Sequence, residues 1–173
     1  MDRRARWNER YRGRGPEVPA PSGLVELLAP YVRPGMRGVD VACGLGADAE
    51  ALHARGVRMH AWDYAHEAIA KLRARVPEVR AEVRDVVASP PGPESFDLVV
   101  SVHFLERALF PQLVAALKPG GLLAVQTFLR GGRGGPSNPA FRLAPGELAE
   151  LVTPLEILEL RELGEAAVVA RRR

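Results

Sequence analysis

The sequence predicts an α/β domain: a doubly wound, mainly parallel seven-stranded sheet with a C-terminal antiparallel hairpin. Three observations carry that expectation. Short β-rich apolar runs alternate with helix-patterned stretches, which implies βαβ crossovers and helices on both faces of a sheet. Proline and glycine separate these pieces at nearly every junction. Two last strand-like runs lie only a few residues apart, the spacing of a hairpin. The 173 residues, 47% hydrophobic and 26% charged, suit one domain around one core.

Each element has a local reason. Residues 2–12 form a short basic helix, broken by Gly13, Gly15 and Pro16. Ser22 N-caps a helix over residues 23–32, which Pro34-Gly35 ends. Residues 37–42, RGVDVA, make a first buried strand, and the glycines after it open a helix over 47–56 that Gly56 stops. Residues 57–62 form a second strand, 65–76 a second crossover helix ended by Pro77, and 79–84 a third strand. Residues 95–102, SFDLVVSV, are continuously apolar and read as a fully buried strand. Leu105, Leu109, Leu113 and Leu117 recur at i+4 and predict a helix over about 104–117. Lys118-Pro119-Gly120-Gly121 then turns the chain into the strand LLAVQTF, residues 122–128. A glycine-rich stretch follows, then a short helix from Pro145, and LEILEL and AAVVAR pair about a turn at Leu163-Gly164.

Composition narrows the function classes. No apolar run approaches the ~20 residues that span a bilayer, and no apolar segment backs the N-terminal arginines as a secretory leader would. A cytoplasmic protein is expected. The lone Cys43 excludes an internal disulfide framework or a cysteine-cluster zinc site. His53, His60 and His66 are too scattered for a metal centre. The formal net charge is +3. Its basic excess lies at the ends: six arginines within residues 1–15 against Asp2 and Glu9, and three more at 171–173. Solvated termini explain this; an RNA footprint would also, if residues 3–14, 130–133 and 171–173 formed one continuous basic surface. Nothing in the residues speaks to oligomeric state.

Chemistry in such a sheet belongs at the carboxyl ends of the strands, near the point where strand order reverses. There the run Gly44-Leu45-Gly46-Ala47-Asp48-Ala49 matches the G-x-G-x-x-G/A fingerprint. Asp63, 19 residues after Gly44, stands where a carboxylate accepts ribose hydroxyl protons. These two features alone indicate an adenosine-bearing ligand and leave its identity open, a nicotinamide dinucleotide included. Asp40 precedes the glycine turn, a poor neighbour for a pyrophosphate and a good one for a cationic amino group. Asp85, in VRDV, suits an adenine amino group, with Val86 against the ring; an exposed acid opening a loop is the plainer alternative.

The order of these motifs resembles class I S-adenosylmethionine-dependent methyltransferases over nearly the whole chain. VDVACGLG is similar to that family's glycine-rich first motif, AWDYAHEAI to the second, VRDV to the third, and FDLVVSVHFLER with LKPGGLLAVQTF to the fourth and fifth strands. The resemblance implies S-adenosylmethionine as cofactor and S-adenosylhomocysteine as product. It implies cofactor contacts at Asp40, Ala42, Cys43, Gly44, Gly46, Asp63, Tyr64, Asp85, Val86 and Ser101. Ala42 stands where the family usually has glycine, so less room is expected there. Trp7-Asn8-Glu9-Arg10-Tyr11 and the stretch Gly135 to Leu148 resemble the small tellurite-resistance-type (TehB-like) subgroup. That likeness implies that Trp7, Arg10 and Tyr11 fold over the ligand.

The implied plan is a helical lid over 1–35, a cofactor-binding core over 36–128, a flexible loop over 129–144, and a helix with the closing hairpin over 145–173. His103, just past the fourth strand, is the candidate base or positioning group, its ordinary pKa near 6.5 suiting proton transfer. Arg107 and Arg142 are candidate grips on an anionic substrate. The expected reaction is methyl transfer by direct displacement to a small molecule or inorganic anion. The alternatives are an RNA-binding protein or nucleic-acid methyltransferase, supported by the arginine-rich ends and the RGGRGG loop, and a nicotinamide-dependent (NAD(P)) oxidoreductase.

Overall fold

Valine, leucine and alanine crowd the strand positions, and strands made of them must be covered on both faces. The computed structural model, which describes residues 2–15 and 17–173, arranges them accordingly. Five strands run parallel: β1 (Arg37–Val41), β2 (Arg58–Asp63), β3 (Arg80–Val83), β4 (Phe96–Val102) and β5 (Leu117–Phe128). The hairpin β6 (Glu156–Leu163) and β7 (Glu165–Arg171) adds antiparallel to β5. It turns on Gly164 at φ 77°. The sheet order is β3-β2-β1-β4-β5-β7-β6, so strand order reverses between β1 and β4.

Successive side chains go to opposite faces. On one face Leu98 and Leu122 meet Leu24, Leu28, Leu52 and Leu72 from α2 (Gly23–Leu28), α3 (Ala47–His53) and α4 (His66–Arg75). On the other, Val99 and Leu123 meet Leu113 and Leu148 from α5 (Phe110–Ala115) and α6 (Glu147–Leu151). Among the described residues no helix is long and apolar enough to cross a membrane.

Three elements differ from expectation. The helix expected over 23–32 stops at Leu28, just before Ala29-Pro30. The helix expected over 104–117 is a 3-10 turn at Arg107–Leu109 and the six-residue α5; Pro111 sits in the first turn, where a missing N–H is tolerated. Lys118–Gly121 lies inside β5 as an irregularity, the pairing with β4 jumping from Phe96↔Leu117 to Leu98↔Leu122.

The first helix, α1 (Arg3–Arg12), is fastened to α4 by reciprocal capping. Lys71 Nζ donates to the carbonyls of Tyr11 (2.5 Å) and Arg14 (2.7 Å), satisfying acceptors at the C-terminal end of α1. Asn8 Oδ1 accepts from the Glu67 amide (3.2 Å) in the first turn of α4, and Arg12 Nε donates to Glu67 Oε1 (3.0 Å).

The glycine-rich stretch after β5 is organised by two arginines. Arg142 donates to the carbonyls of Pro136 (2.8 Å), Leu129 (2.9 Å), Gly132 (3.0 Å) and Gly134. Arg107 grips both oxygens of Glu147 and donates to the carbonyls of Ala140 and Arg142. The Arg107 hydrogen bond holds the Glu147 carboxyl below its ordinary pKa, against the opposing effect of burial, with the Ala144 amide assisting. A carboxyl with a lowered folded pKa stabilises above its unfolded value and stops doing so as pH falls through the folded one. Partial exposure keeps the pair to on the order of 1 kcal/mol. Glu147→Gln should therefore speed trypsin cleavage after Arg130 and Arg133 at neutral pH about fivefold. Hydrogen exchange at the Arg130 and Leu143 amides, which close this loop, should lose protection on acidification in the native protein. In the variant, protection should already be low and insensitive to pH.

Candidate functional site

The crevice opens where β1 and β4 lead away to opposite sides. Past Val41 the chain turns sharply: Ala42 has φ 55°, Gly44 φ 55° and Gly46 φ 76°. A left-handed backbone at a non-glycine residue costs about 1–3 kcal/mol. Ala42 therefore adopts at a cost the conformation that glycine adopts freely. A Cβ on Gly44 would lie 2.7 Å from the Tyr11 hydroxyl, and one on Gly46 2.5 Å from Leu72 Cδ2, so both positions are closed to side chains.

Asp63 ends β2 and fixes this turn. Its Oδ2 accepts from the Gly44 amide (2.9 Å) and its Oδ1 from the Ala65 amide (2.8 Å). Burial pushes its carboxyl up in pKa, and the Ala65 and Gly44 amides pull the other way; the net direction is up. Asp40, 2% exposed, is pushed well up by burial and then by the Asp48 and Asp63 carboxylates, with only the Ala49 amide opposing. Burial, Asp40 and Asp63 likewise push the Cys43 thiol up, which keeps it protonated and makes it a poor nucleophile. Among the described residues no basic side chain offsets the charge of Asp40 and Asp63.

Above the turn, Trp7 and Tyr11 stack with ring centroids 5.5 Å apart, and Tyr11 packs with Leu45, Ala65 and Ala68. Burial raises the Tyr11 phenol, so it stays a neutral hydroxyl. Arg10 lies over the Trp7 ring at 5.0 Å and Arg4 over Tyr64 at 5.8 Å. Asp85 caps its own loop, Oδ1 accepting from the Val87 (3.1 Å) and Ala88 (3.3 Å) amides, with Oδ2 4.0 Å from Arg4. Val86 turns into the core beside Val39 and Trp62; of the two, Val87, 53% exposed, is the one left at the surface. Ser101 is buried and donates to the Phe104 carbonyl (3.3 Å).

The expected residues thus divide. Asp40, Ala42, Cys43, Gly44, Gly46 and Asp63 gather at one turn, with Trp7 and Tyr11 against it. Arg107 and Arg142, expected to grip a substrate, spend their donors on Glu147 and on backbone carbonyls of the loop after β5. The continuous basic surface required for an RNA footprint is also absent among the described residues. Arg171 pairs with Leu122 at the start of β5, whereas residues 130–133 follow the end of β5, about 20 Å along the strand. Arg172 and Arg173 pair there with Glu94 and Glu156.

His103 also has a left-handed backbone, φ 55°. Its ring stacks on Phe128 with centroids 4.3 Å apart, and its Nε2 meets both carboxylate oxygens of Glu165 at 2.9 and 3.0 Å. Gln126 Nε2 donates to Glu165 Oε2 (2.7 Å). Neither Glu165 nor Gln126 carries a signal readable in sequence; the pairing of β5 with β7 brings them to His103.

Residues 39–121 match the family described as a methyltransferase domain. A trans-aconitate 2-methyltransferase of Variovorax paradoxus is 35% identical over 109 residues, covering 58% of this chain and 42% of that protein. A ubiquinone biosynthesis O-methyltransferase of Xanthomonas campestris pv. campestris is 33% identical over 132 residues, covering 67% of this chain and 54% of that protein. Residues 39–121 thus carry a methyltransferase domain, and these likenesses together support a class I S-adenosylmethionine-dependent methyltransferase. It spans about half the length of the curated relatives it matches. The solved structure of a TehB-like SAM-dependent methyltransferase from Corynebacterium glutamicum superposes with a TM-score of 0.71 at 19% identity, covering 98% of each chain, a likeness of fold. The methyltransferase-domain match leaves the nicotinamide alternative, which rested on the Gly44–Ala49 run alone, without support.

In this methyltransferase domain the buried Asp40 has a measurable consequence. Its raised folded pKa means the unfolded chain ionises first as pH rises, so the group erodes stability from the ordinary carboxylate range upward. Asp40→Asn should raise the melting temperature of the ligand-free protein at about pH 8 and leave it unchanged at about pH 3. Scanning calorimetry at the two pH values checks this; a lower melting temperature at the higher pH would contradict it.

Proposed function

We propose that the domain binds S-adenosylmethionine in the crevice between β1 and β4 and transfers its methyl group to a small organic acceptor. One observation carries the reading: Asp40 and Asp63 are buried acids beside a glycine turn, with no cationic side chain to offset them. A ligand that brings its own positive charge suits that environment, and a dinucleotide pyrophosphate does not. The family's name and the relatives' names point the same way.

The chain's contributions follow from its geometry. Each Asp63 oxygen already accepts one amide and keeps a lone pair for a ribose hydroxyl. Asp40 holds the cationic amino group. Gly44 and Gly46 let the backbone approach, and the Ala42 methyl narrows the space beside the methionine part. Asp85, through the oxygen that its own loop amides leave, and Val87, through its exposed face, border the adenine; Val86 backs them from the core. Trp7, Arg10 and Tyr11 close the top and exclude water. The cofactor supplies a methyl on a sulfonium, an activated leaving group, so alignment by the protein is the main demand.

The acceptor side favours an organic molecule over an inorganic anion. Arg107 and Arg142, the arginines best placed by sequence to hold an anion, are committed within the fold. The relatives' printed substrates and pathway, trans-aconitate and ubiquinone biosynthesis, are both organic.

Titration calorimetry with S-adenosylmethionine, S-adenosylhomocysteine and NAD tests the cofactor. Both adenosyl ligands should bind and NAD should not. At about 100 times the dissociation constant, binding should stabilise the fold by about 2.7 kcal/mol, visible as a thermal shift. Asp63→Asn should weaken adenosyl binding at least about tenfold, one charge-assisted hydrogen bond. Heat absent with both adenosyl ligands would refute the assignment.

A further inference from the structure

We propose that Glu165 and His103 form a dyad that takes the proton from a phenol-type hydroxyl acceptor, with Glu165 positioning the imidazole. This rests on the methyltransferase reading above and adds to it the acceptor's class.

The geometry gives His103 one productive state. Nε2 lies between the two Glu165 oxygens, so it carries the proton and donates it. Nδ1, which takes no partner among the described residues, is left as the basic nitrogen. The ring is held from three sides: stacked on Phe128, tied by Glu165, and fixed at the backbone by the His103 amide donating to the Gln126 carbonyl (2.8 Å). Gln126 binds Glu165 with its side chain and His103 with its carbonyl, so the dyad is a single unit on β4, β5 and β7. The imidazole is still 43% exposed, at the carboxyl end of β4, two residues past the Val41↔Ser101 pairing that borders the crevice.

The chemistry selects the acceptor. A carboxylate is already a nucleophile, needs no base, and would be repelled by Glu165. An aliphatic alcohol, a far weaker acid than a phenol, asks much more of an imidazole. A phenol-type hydroxyl, with an ordinary pKa of about 10, is within reach. Nδ1 accepts the hydroxyl proton as the oxygen forms its bond to the methyl carbon. The bond from that carbon to sulfur breaks, and its electron pair stays on sulfur. The imidazolium, balanced by Glu165, returns its proton to solvent.

Two measurements on the full chain test this. Nitrogen NMR of the cofactor-free protein at about pH 8 should show His103 protonated on Nε2, and Glu165→Ala should yield mixed tautomers. Protonation on Nδ1 in the native protein would overturn the dyad. Methyl-labelled S-adenosylmethionine is then offered with catechol, nitrocatechol and trans-aconitate. Label is expected in the two phenols only. Label in trans-aconitate alone, or in nothing while calorimetry shows bound cofactor, overturns the acceptor class; absent cofactor binding instead refutes the underlying reading. Glu165→Gln should lower kcat on catechol by about 10- to 100-fold with KM within about twofold. On nitrocatechol, already largely ionised, the loss should stay below about threefold. Equal losses on both phenols would reduce Glu165 to a structural role.

Discussion

The Asp63 carboxylate is the point to which the rest of the site is referred. One oxygen holds the amide of Gly44 in the turn after β1, and the other holds the amide of Ala65 at the start of α4. The glycine turn is thereby placed, and with it the seat of Tyr11, which lies against Gly44. The first turn of α4 is placed too, and Asn8 and Arg12 of α1 fasten to that turn. Burying a carboxylate is unfavourable, and two amides offset only part of the cost, since the net pKa direction is still upward. The site is thus assembled around a carboxylate whose burial is only partly compensated.

Arginine does structural work in the loop that follows β5. A glycine-rich loop has no side chains with which to order itself and exposes many carbonyls. The forked guanidinium of Arg142 collects four of them, and Arg107 ties the end of the same loop to Glu147 at the start of α6. Lysine, a point donor on a flexible stem, is less suited to that fork geometry. Lys71 has a different task, capping α1, where a compact cation meets two converging carbonyls.

What was legible in the sequence follows from what is local. Continuous apolar runs fixed the strands, because a parallel strand buried on both faces has no other composition available. Asp40, Gly44, Gly46 and Asp63 were legible because each sits at a strand-to-helix junction whose place in the fold is set by its own neighbours. The i+4 leucines of 104–117 misled because Leu105 reaches the core from an extended link that precedes the helix. Val86 and Val87 differ by one residue, and only the loop's path decides which faces inward. The tasks of Arg107 and Arg142, and the presence of Glu165 beside His103, depend on partners brought close by folding: Glu147 is 40 residues from Arg107, and Glu165 is 62 from His103. The basic ends looked alike in sequence, yet an antiparallel last strand carries one of them to the far end of the sheet.

Two of the three non-glycine residues with a left-handed backbone among the described residues, Ala42 and His103, explain why the crevice lies where it does. They follow β1 and β4, neighbours whose last pairing is Val41↔Ser101. Beyond that pair each strand bonds outward: the Cys43 amide donates to the Trp62 carbonyl on β2, and the His103 amide to the Gln126 carbonyl on β5. Neither continues toward the other. The left-handed φ of Ala42 and of His103 is the local bend that accompanies this parting, and its cost of about 1–3 kcal/mol at each residue is offset in part by the outward hydrogen bond beside it. Two strands that stop pairing and lean apart leave a gap floored by their own ends. On the β1 side of that gap stand the buried acids, and on the β4 side stands the His103 imidazole with the Glu165 carboxylate behind it. The reversal of strand order is a topological fact, but the parting of the two strand ends is a local one, made by two residues held out of the ordinary backbone regions.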